Sequence, residues 1–89
     1  MPSPSEWKPD MYVLSRILDR LWKEENGMMR TRLQVATNTS YDNLVRYVTW
    51  MTEKGLVTII PNDGHEVVAL TEKGREAYRR IVLWIFETV

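Results

Sequence analysis

The chain has 89 residues, among them four tryptophans and no cysteine. A chain of this length without a linker-like run is expected to form one domain around a single core. The lack of cysteine excludes disulfides and thiolate metal ligands, and a single histidine cannot assemble a zinc site. Twelve basic residues balance twelve acidic ones, which excludes a strong overall attraction to a polyanion such as nucleic acid.

The N-terminus has no basic stretch followed by an apolar one, and the chain has no run of about 18 apolar residues. We therefore expect a cytoplasmic protein that makes no contact with a membrane. Residues 1–9 contain three prolines and two serines, a composition that favours a flexible N-terminal segment before a domain over residues 10–89.

Asp10 is placed to cap a first helix over residues 11–25, in which the apolar residues recur at the spacing of one helical face. Trp7 is expected to pack back onto this helix. Residues 26–27, Asn-Gly, can adopt the left-handed conformation that ends a helix, so the first element is predicted to stop there.

Two further helices follow in the order that defines a helix-turn-helix. A second helix of about two turns is predicted to begin near Thr31, with its apolar anchors at Met29, Leu33 and Ala36. Turn and capping residues then lead into a third helix over residues 40–54, which Gly55 ends. The apolar stripe of the third helix comprises Leu44, Tyr47, Val48 and Met51.

The pattern changes after Gly55 and predicts a β-hairpin. Residues 56–61, LVTIIP, are rich in β-branched side chains, turn residues follow, and residues 65–70, HEVVAL, form the returning strand. Thr71 is then placed to cap a last helix over residues 71–89. The order of elements is helix, helix, helix, hairpin, helix, which is an α+β fold that is mainly α.

Two stretches of the chain resemble winged-helix families. Residues 32–57, RLQVATNTSYDNLVRYVTWMTEKGLV, are similar to the helix-turn-helix of the small archaeal winged-helix DNA-binding proteins. Residues 70–78, LTEKGREAY, are similar to the junction that closes the wing in many bacterial and archaeal regulators, including those of the multiple-antibiotic-resistance type. The resemblance implies a winged helix-turn-helix with three helices, a two-stranded β-wing and a C-terminal helix. It also implies that the third helix enters the major groove of double-stranded DNA and that the last helix pairs two subunits.

The outward face of the third helix is the candidate reader of base pairs. Arg46 can grip the O6 and N7 atoms of guanine, Asn43 can pair with adenine, and the methyl group of Thr49 can meet that of thymine. Trp50 flanks the same face. For each of these residues the alternative stays open that the face is merely solvated.

Other side chains suit the phosphate backbone. Arg30 and Arg32 flank the start of the second helix, which crosses the backbone in a helix-turn-helix, although they can also be read as solubilising arginines. Ser40 and Tyr41 lie at the N-terminus of the third helix, where anions bind favourably. The wing tip carries no lysine or arginine, so its contacts are expected to be weak. His65 can touch a phosphate there, or it is an ordinary hairpin histidine.

Carboxylates on the third helix oppose DNA binding. Asp42 and Glu53 lie on the candidate reading face, although Asp42 also suits the first turn of a helix. Residues 26–54 nevertheless hold four basic residues against two acidic ones. This local excess of positive charge marks the side on which DNA is expected to lie.

The last helix carries more apolar side chains than one core needs. A stripe of Ala77, Tyr78, Ile81 and Ile85 is sufficient for the core. The surplus comprises Val82, Leu83, Trp84, Phe86 and Val89. Because a helix that is apolar all round must be buried all round, we predict a homodimer through this helix. The alternative is that these residues fold back on Trp22 and Trp7 within one subunit.

The sequence thus favours a dimeric transcriptional regulator that binds double-stranded DNA specifically or semi-specifically, with a winged helix that contacts only proteins as the alternative. The neutral charge, the acidic residues of the third helix and the bare wing tip permit that alternative. An enzyme is not expected, because no Gly-rich phosphate loop, nucleophile elbow, HExxH motif or paired carboxylates occur. No cofactor and no metal site are predicted.

Overall fold

The computed structural model describes residues 7–88, apart from the side chains of Phe86 and Thr88. Three helices come first: α1 (Met11–Lys23), α2 (Arg30–Thr37) and α3 (Tyr41–Glu53). The strands β1 (Val57–Asn62) and β2 (His65–Leu70) follow, and the chain continues with α4 (Glu72–Tyr78), a π-helical turn (Arg79–Leu83) and α5 (Trp84–Thr88). The predicted α+β, mainly α, order is confirmed. No helix in the described part of the chain is long and apolar enough to cross a membrane.

Three helix starts have the side-chain caps that the sequence predicts. The Asp10 carboxylate and the hydroxyls of Ser40 and Thr71 each accept hydrogen bonds from backbone N–H groups in the first turn of the helix that follows. The first helix ends at Lys23, two residues earlier than predicted, and the second begins at Arg30, one residue earlier. Such one- or two-residue differences are common at helix ends, where the last turns fray.

Of the three anchors predicted for α2, Leu33 is buried as expected, whereas Met29 and Ala36 differ from the prediction. Ala36 is exposed and Met29 only half-buried, whereas Leu33 and Thr37 point into the core and Met28 is buried just before the helix. Leu33 and Thr37 are four residues apart and therefore share one face. The Thr37 hydroxyl donates to the Leu33 carbonyl at 2.7 Å, so this polar side chain is buried with its hydrogen bond satisfied.

Trp7 makes its ring contacts with α3, whereas the sequence analysis expects it against α1. Its ring lies edge-on to that of Tyr47, with centroids 5.2 Å apart, and 6.2 Å from that of Trp50. The backbone N–H of Asp10 also donates to the Tyr47 hydroxyl at 2.7 Å. The segment before α1 is therefore tied to the third helix at two points.

The hairpin is antiparallel, with a register that runs from Val57 opposite Leu70 to Asn62 opposite His65. Asp63 and Gly64 join the strands with φ of 50° and 80°, the left-handed pair that a tight hairpin turn requires. These two strands make up the wing.

The turn between α1 and α2 is bonded to the wing, a feature that the sequence analysis does not anticipate. Met28 and Val68 exchange two backbone hydrogen bonds, of 2.9 and 2.8 Å, in an antiparallel bridge. Gly27, just before the bridge, has a φ of 84°, and a Cβ atom there would lie 2.7 Å from the Val68 carbonyl oxygen. Glycine therefore permits the close approach of this turn to the wing.

One core joins these elements. Its fully buried side chains come from all three N-terminal helices and from β2: Ile17, Leu18, Leu21, Leu33, Thr37, Leu44, Met51 and Val68. The stripe predicted for α3 is buried in full. The C-terminal helical segment closes the core against α1, where Trp22 stacks on Tyr78 with ring centroids 4.3 Å apart.

The C-terminal segment corrects one prediction. Val82 is only 2% exposed and belongs to the core, so its assignment to a surface for a second subunit is wrong. Val82 lies four residues after the buried Tyr78 and therefore shares its inward face. Leu83 and Trp84, which follow, are 39% and 62% exposed. Val89 and the side chain of Phe86 lie outside the described part of the chain.

Candidate nucleic-acid interface

The outward face of α3 carries the side chains that the helical spacing predicts. Arg46 and Thr49 are exposed, and so are the two carboxylate residues, Asp42 and Glu53. The opposite face packs into the core, which holds this helix rigidly while leaving its outer side open. Arg46 is therefore presented to solvent by a helix whose opposite face is buried.

Asn43 is less available than Arg46 for contacts with a ligand. It is half-buried, and its Nδ2 atom donates to the Thr39 hydroxyl at 3.0 Å across the turn before the helix. Its backbone N–H donates to the hydroxyl of Ser40 at 3.2 Å. Asn43 thus helps to stabilise the turn, and pairing with adenine would require its side chain to give up the bond to Thr39.

The N-terminus of α3 is open to solvent. Ser40 and Tyr41 are both exposed, and Ser40 keeps its capping role through the bond to the first turn. The remaining first-turn N–H groups and the Tyr41 hydroxyl can donate to an anion that approaches along the helix axis.

Trp50 lies at the edge of this surface and contacts side chains of the same chain. It is half-buried, with Trp7 on one side and the Lys54 ammonium group 5.9 Å from its ring centroid. Its main contribution is therefore to hold the Trp7 segment and to position Lys54 by a cation–π contact at the end of α3.

Arg30 and Arg32, at the start of α2, have different surroundings. Arg32 is exposed and borders two open grooves, one of about 370 Å³ against α1 and one of about 310 Å³ against the wing tip. Arg30 is engaged, because its Nη1 atom lies 3.3 Å from the Oε1 atom of Glu66 on β2. His65 is exposed and borders the groove at the wing tip.

Glu66, which no sequence motif singles out, forms this ion pair with Arg30. The wing, residues 57–70, carries Asp63 and Glu66 and no lysine or arginine. Positive charge is thus concentrated on the helix-turn-helix, whereas the wing is acidic. The sequence places Glu66 next to His65 but does not indicate its partner. Arg30 lies close to Glu66 because the Met28–Val68 bridge brings the start of α2 beside the wing.

Comparison with protein families gives one match. Residues 10–85 match the model of the winged helix-turn-helix family. No curated protein sequence matches the chain significantly.

Solved structures share the fold. A MarR family transcriptional regulator from Silicibacter pomeroyi is 28% identical with a TM-score of 0.73, over 85% of this chain and 54% of that one. Sso10a-2, a DNA-binding protein from Sulfolobus solfataricus, is 20% identical with a TM-score of 0.74, over 91% of this chain and 82% of that one.

A mutant of MepR from Staphylococcus aureus, bound to an oligodeoxyribonucleotide, is 12% identical with a TM-score of 0.76, over 85% of this chain and 58% of that one. The chain spans little more than half the length of the Silicibacter pomeroyi regulator and of MepR. The resemblance drawn from residues 32–57 and 70–78, and the fold that it implies, are confirmed.

Proposed function

Because the chain belongs to the winged helix-turn-helix family, we propose that it binds double-stranded DNA as a homodimeric transcriptional regulator. The observation that carries the proposal is the outward face of α3, which presents Arg46 on a helix held by the core from behind. Two proteins of the same fold support it, since Sso10a-2 is described as DNA-binding and the MepR mutant was crystallised with an oligodeoxyribonucleotide.

In the proposed complex α3 lies in the major groove, where Arg46 reads guanine and the Thr49 methyl group contacts thymine. Ser40, Tyr41 and the N-terminus of α3 bind phosphate on one side of the groove. Arg32 binds phosphate from the start of α2, because its side chain is exposed and points to solvent. The wing adds little attraction, since its charged residues are acidic.

The proposed dimer forms through the C-terminal helical segment. Leu83 and Trp84 are exposed on it, and large apolar side chains that are grouped at one end of a molecule usually mark an interface. Two-fold pairing would place two α3 helices about one turn of DNA apart and match a palindromic site.

Selection of bound sites from random duplex DNA, followed by a salt titration on the selected site, tests the proposal. We expect an enriched sequence and an affinity that falls steeply as salt rises. Arg46→Ala is expected to weaken binding to the selected site by about 5- to 150-fold and to relax the preference for guanine. Arg16→Ala, which removes an exposed arginine of α1 that has no role in the proposed complex, is the matched control and should leave affinity unchanged.

No binding to any duplex at low salt would contradict the proposal. It would favour the second candidate, a winged helix that binds only proteins, for which the exposed Asp42 and Glu53 on α3 are the specific observation. An Arg46→Ala variant that binds all sequences as tightly as the wild type would contradict the reading role of Arg46 alone.

A further inference from the structure

The ion pair between α2 and the wing has a defined origin in the backbone. Met28 and Val68 form an antiparallel bridge. The bridge brings the start of α2, at Arg30, beside β2, which carries Glu66 two residues before Val68. The Arg30 Nη1 and Glu66 Oε1 atoms are 3.3 Å apart, so the pair is a direct consequence of how the wing is attached.

The two partners differ in exposure. The Arg30 side chain is 27% exposed, whereas that of Glu66 is 62% exposed. Arg30 therefore lies against the protein surface, and the carboxylate that pairs with it is largely exposed to solvent. Like a DNA phosphate, a carboxylate presents negatively charged oxygens that accept hydrogen bonds from a guanidinium group.

We propose that Glu66 is a positioning residue for DNA binding, which holds Arg30 on the wing and competes with a backbone phosphate for its guanidinium group. This inference rests on the proposed function. In the free protein Glu66 occupies the place of the phosphate; on DNA, Arg30 exchanges Glu66 for a phosphate, and the released carboxylate faces the polyanion. Both the loss of the Arg30–Glu66 pair and the repulsion between the Glu66 carboxylate and DNA lower the affinity. Glu66 therefore weakens the binding of the helix-turn-helix to the DNA backbone.

The penalty does not depend on the DNA sequence. Arg30 exchanges Glu66 for a backbone phosphate, and phosphates are the same in every duplex. Glu66 is therefore expected to weaken binding to all duplexes by a similar factor.

The test compares Glu66→Gln with a matched control on the same wing. Asp63→Asn also removes one negative charge from the wing, and asparagine tolerates the positive φ of 50° at that turn position. Asp63 is not part of the Arg30 pair. Both variants are measured against the selected duplex and against a duplex of unrelated sequence, and their folding is checked by circular dichroism.

We expect Glu66→Gln to tighten binding by about two- to fivefold at low salt, the strength of one exposed ion pair. The gain should shrink as salt rises, because salt screens the pair in the free protein. It should be of similar size for the selected and the unrelated duplex, because the competing phosphate is present in both. Asp63→Asn should produce a smaller gain on both.

Arg30→Gln completes a double-mutant cycle. This variant should weaken binding and reduce the slope of log affinity against log salt by about 0.9, the amount for one phosphate contact. In the Arg30→Gln background, Glu66→Gln should have no greater effect than Asp63→Asn, because the carboxylate then has no arginine to hold.

The outcomes separate the two proposals. Wild-type protein that binds no duplex at low salt contradicts the proposed function and, with it, the competition. Wild-type protein that binds, while Glu66→Gln binds no tighter than Asp63→Asn, contradicts only the competition. A full Glu66→Gln gain that persists without Arg30 likewise overturns it, because the effect would then be general charge repulsion.

Discussion

Tyr78 shows how a single residue connects the C-terminal segment to the first helix. Its hydroxyl donates to the Asp19 carboxylate at 3.0 Å, and its ring stacks on Trp22. The guanidinium groups of Arg75 and Arg79 each lie 5.4 Å from the centroid of the same Trp22 ring. Burial raises the pKa of Tyr78, and the hydrogen bond and negative charge of Asp19 raise it further.

The raised pKa predicts a loss of stability in alkali. Because the fold keeps Tyr78 protonated beyond its ordinary pKa of 10.0, its contribution is fully present below that pH and is lost as pH rises toward the higher pKa of the folded state. Tyr78→Phe should lower the free energy of unfolding at neutral pH by about 0.5–1.5 kcal/mol, the net value of a hydrogen bond. It should also flatten the alkaline decline.

Urea unfolding between about pH 8 and about pH 11 measures both effects. Tyr12→Phe, which alters an exposed tyrosine, serves as the control and should keep the decline of the wild type. A Tyr78→Phe variant with a decline parallel to that of the wild type would show that Tyr78 does not carry the pH dependence.

At the scale of elements, the attachment of α4 to β1 depends on a glycine. Gly74 is buried in the first turn of α4, and a Cβ atom there would run into the backbone carbonyl of Leu56. The Thr71 side chain that caps this turn also donates to the Gly55 carbonyl. The capped helix start and the end of the α3–β1 turn are thus packed backbone to backbone.

Gly74→Ala is therefore expected to destabilise the protein by about 3 kcal/mol or more, since a backbone atom rather than a flexible side chain blocks the added methyl group. Gly64→Ala at the wing tip is the control. It has open space and costs only the strain of its positive φ, roughly 1–2 kcal/mol. Thermal unfolding of the two variants gives the comparison; an equal loss of stability in both would contradict the close approach at Gly74.

The boundaries of most elements could be predicted, because the signals that set them are local. Caps at Asp10, Ser40 and Thr71 act on N–H groups within one turn, and the Asp63–Gly64 turn depends on its own backbone angles. The Met28–Val68 bridge joins segments forty residues apart. Its register follows from how the wing packs on the turn after α1, which no local pattern encodes.

At the scale of the whole molecule, the proposed pairing of subunits depends on the exposed apolar side chains of the C-terminal segment. Leu83 and Ile60 are almost equally exposed, at 39% and 41%, but lie on the C-terminal segment and on the wing, respectively. Because their exposure is similar, replacing each of them by lysine compares a charge on the C-terminal segment with a charge on the wing.

We expect the wild type to sediment as a dimer and Leu83→Lys to shift it to a monomer, because burying a lysine charge at an interface is unfavourable. Ile60→Lys should remain dimeric. Sedimentation velocity over a range of concentrations measures this, and a wild type that is monomeric throughout the range would contradict the dimer.

The sequence by itself determined the order of elements, the helix caps, the hairpin turn and the outward face of α3. Each of these depends on periodicity or on hydrogen bonds between near neighbours. Tertiary structure alone decided that Trp7 contacts α3, that Val82 belongs to the core, and that Arg30 meets Glu66. These outcomes depend on packing between segments distant in the chain, where small shifts of phase or register change which side chains meet.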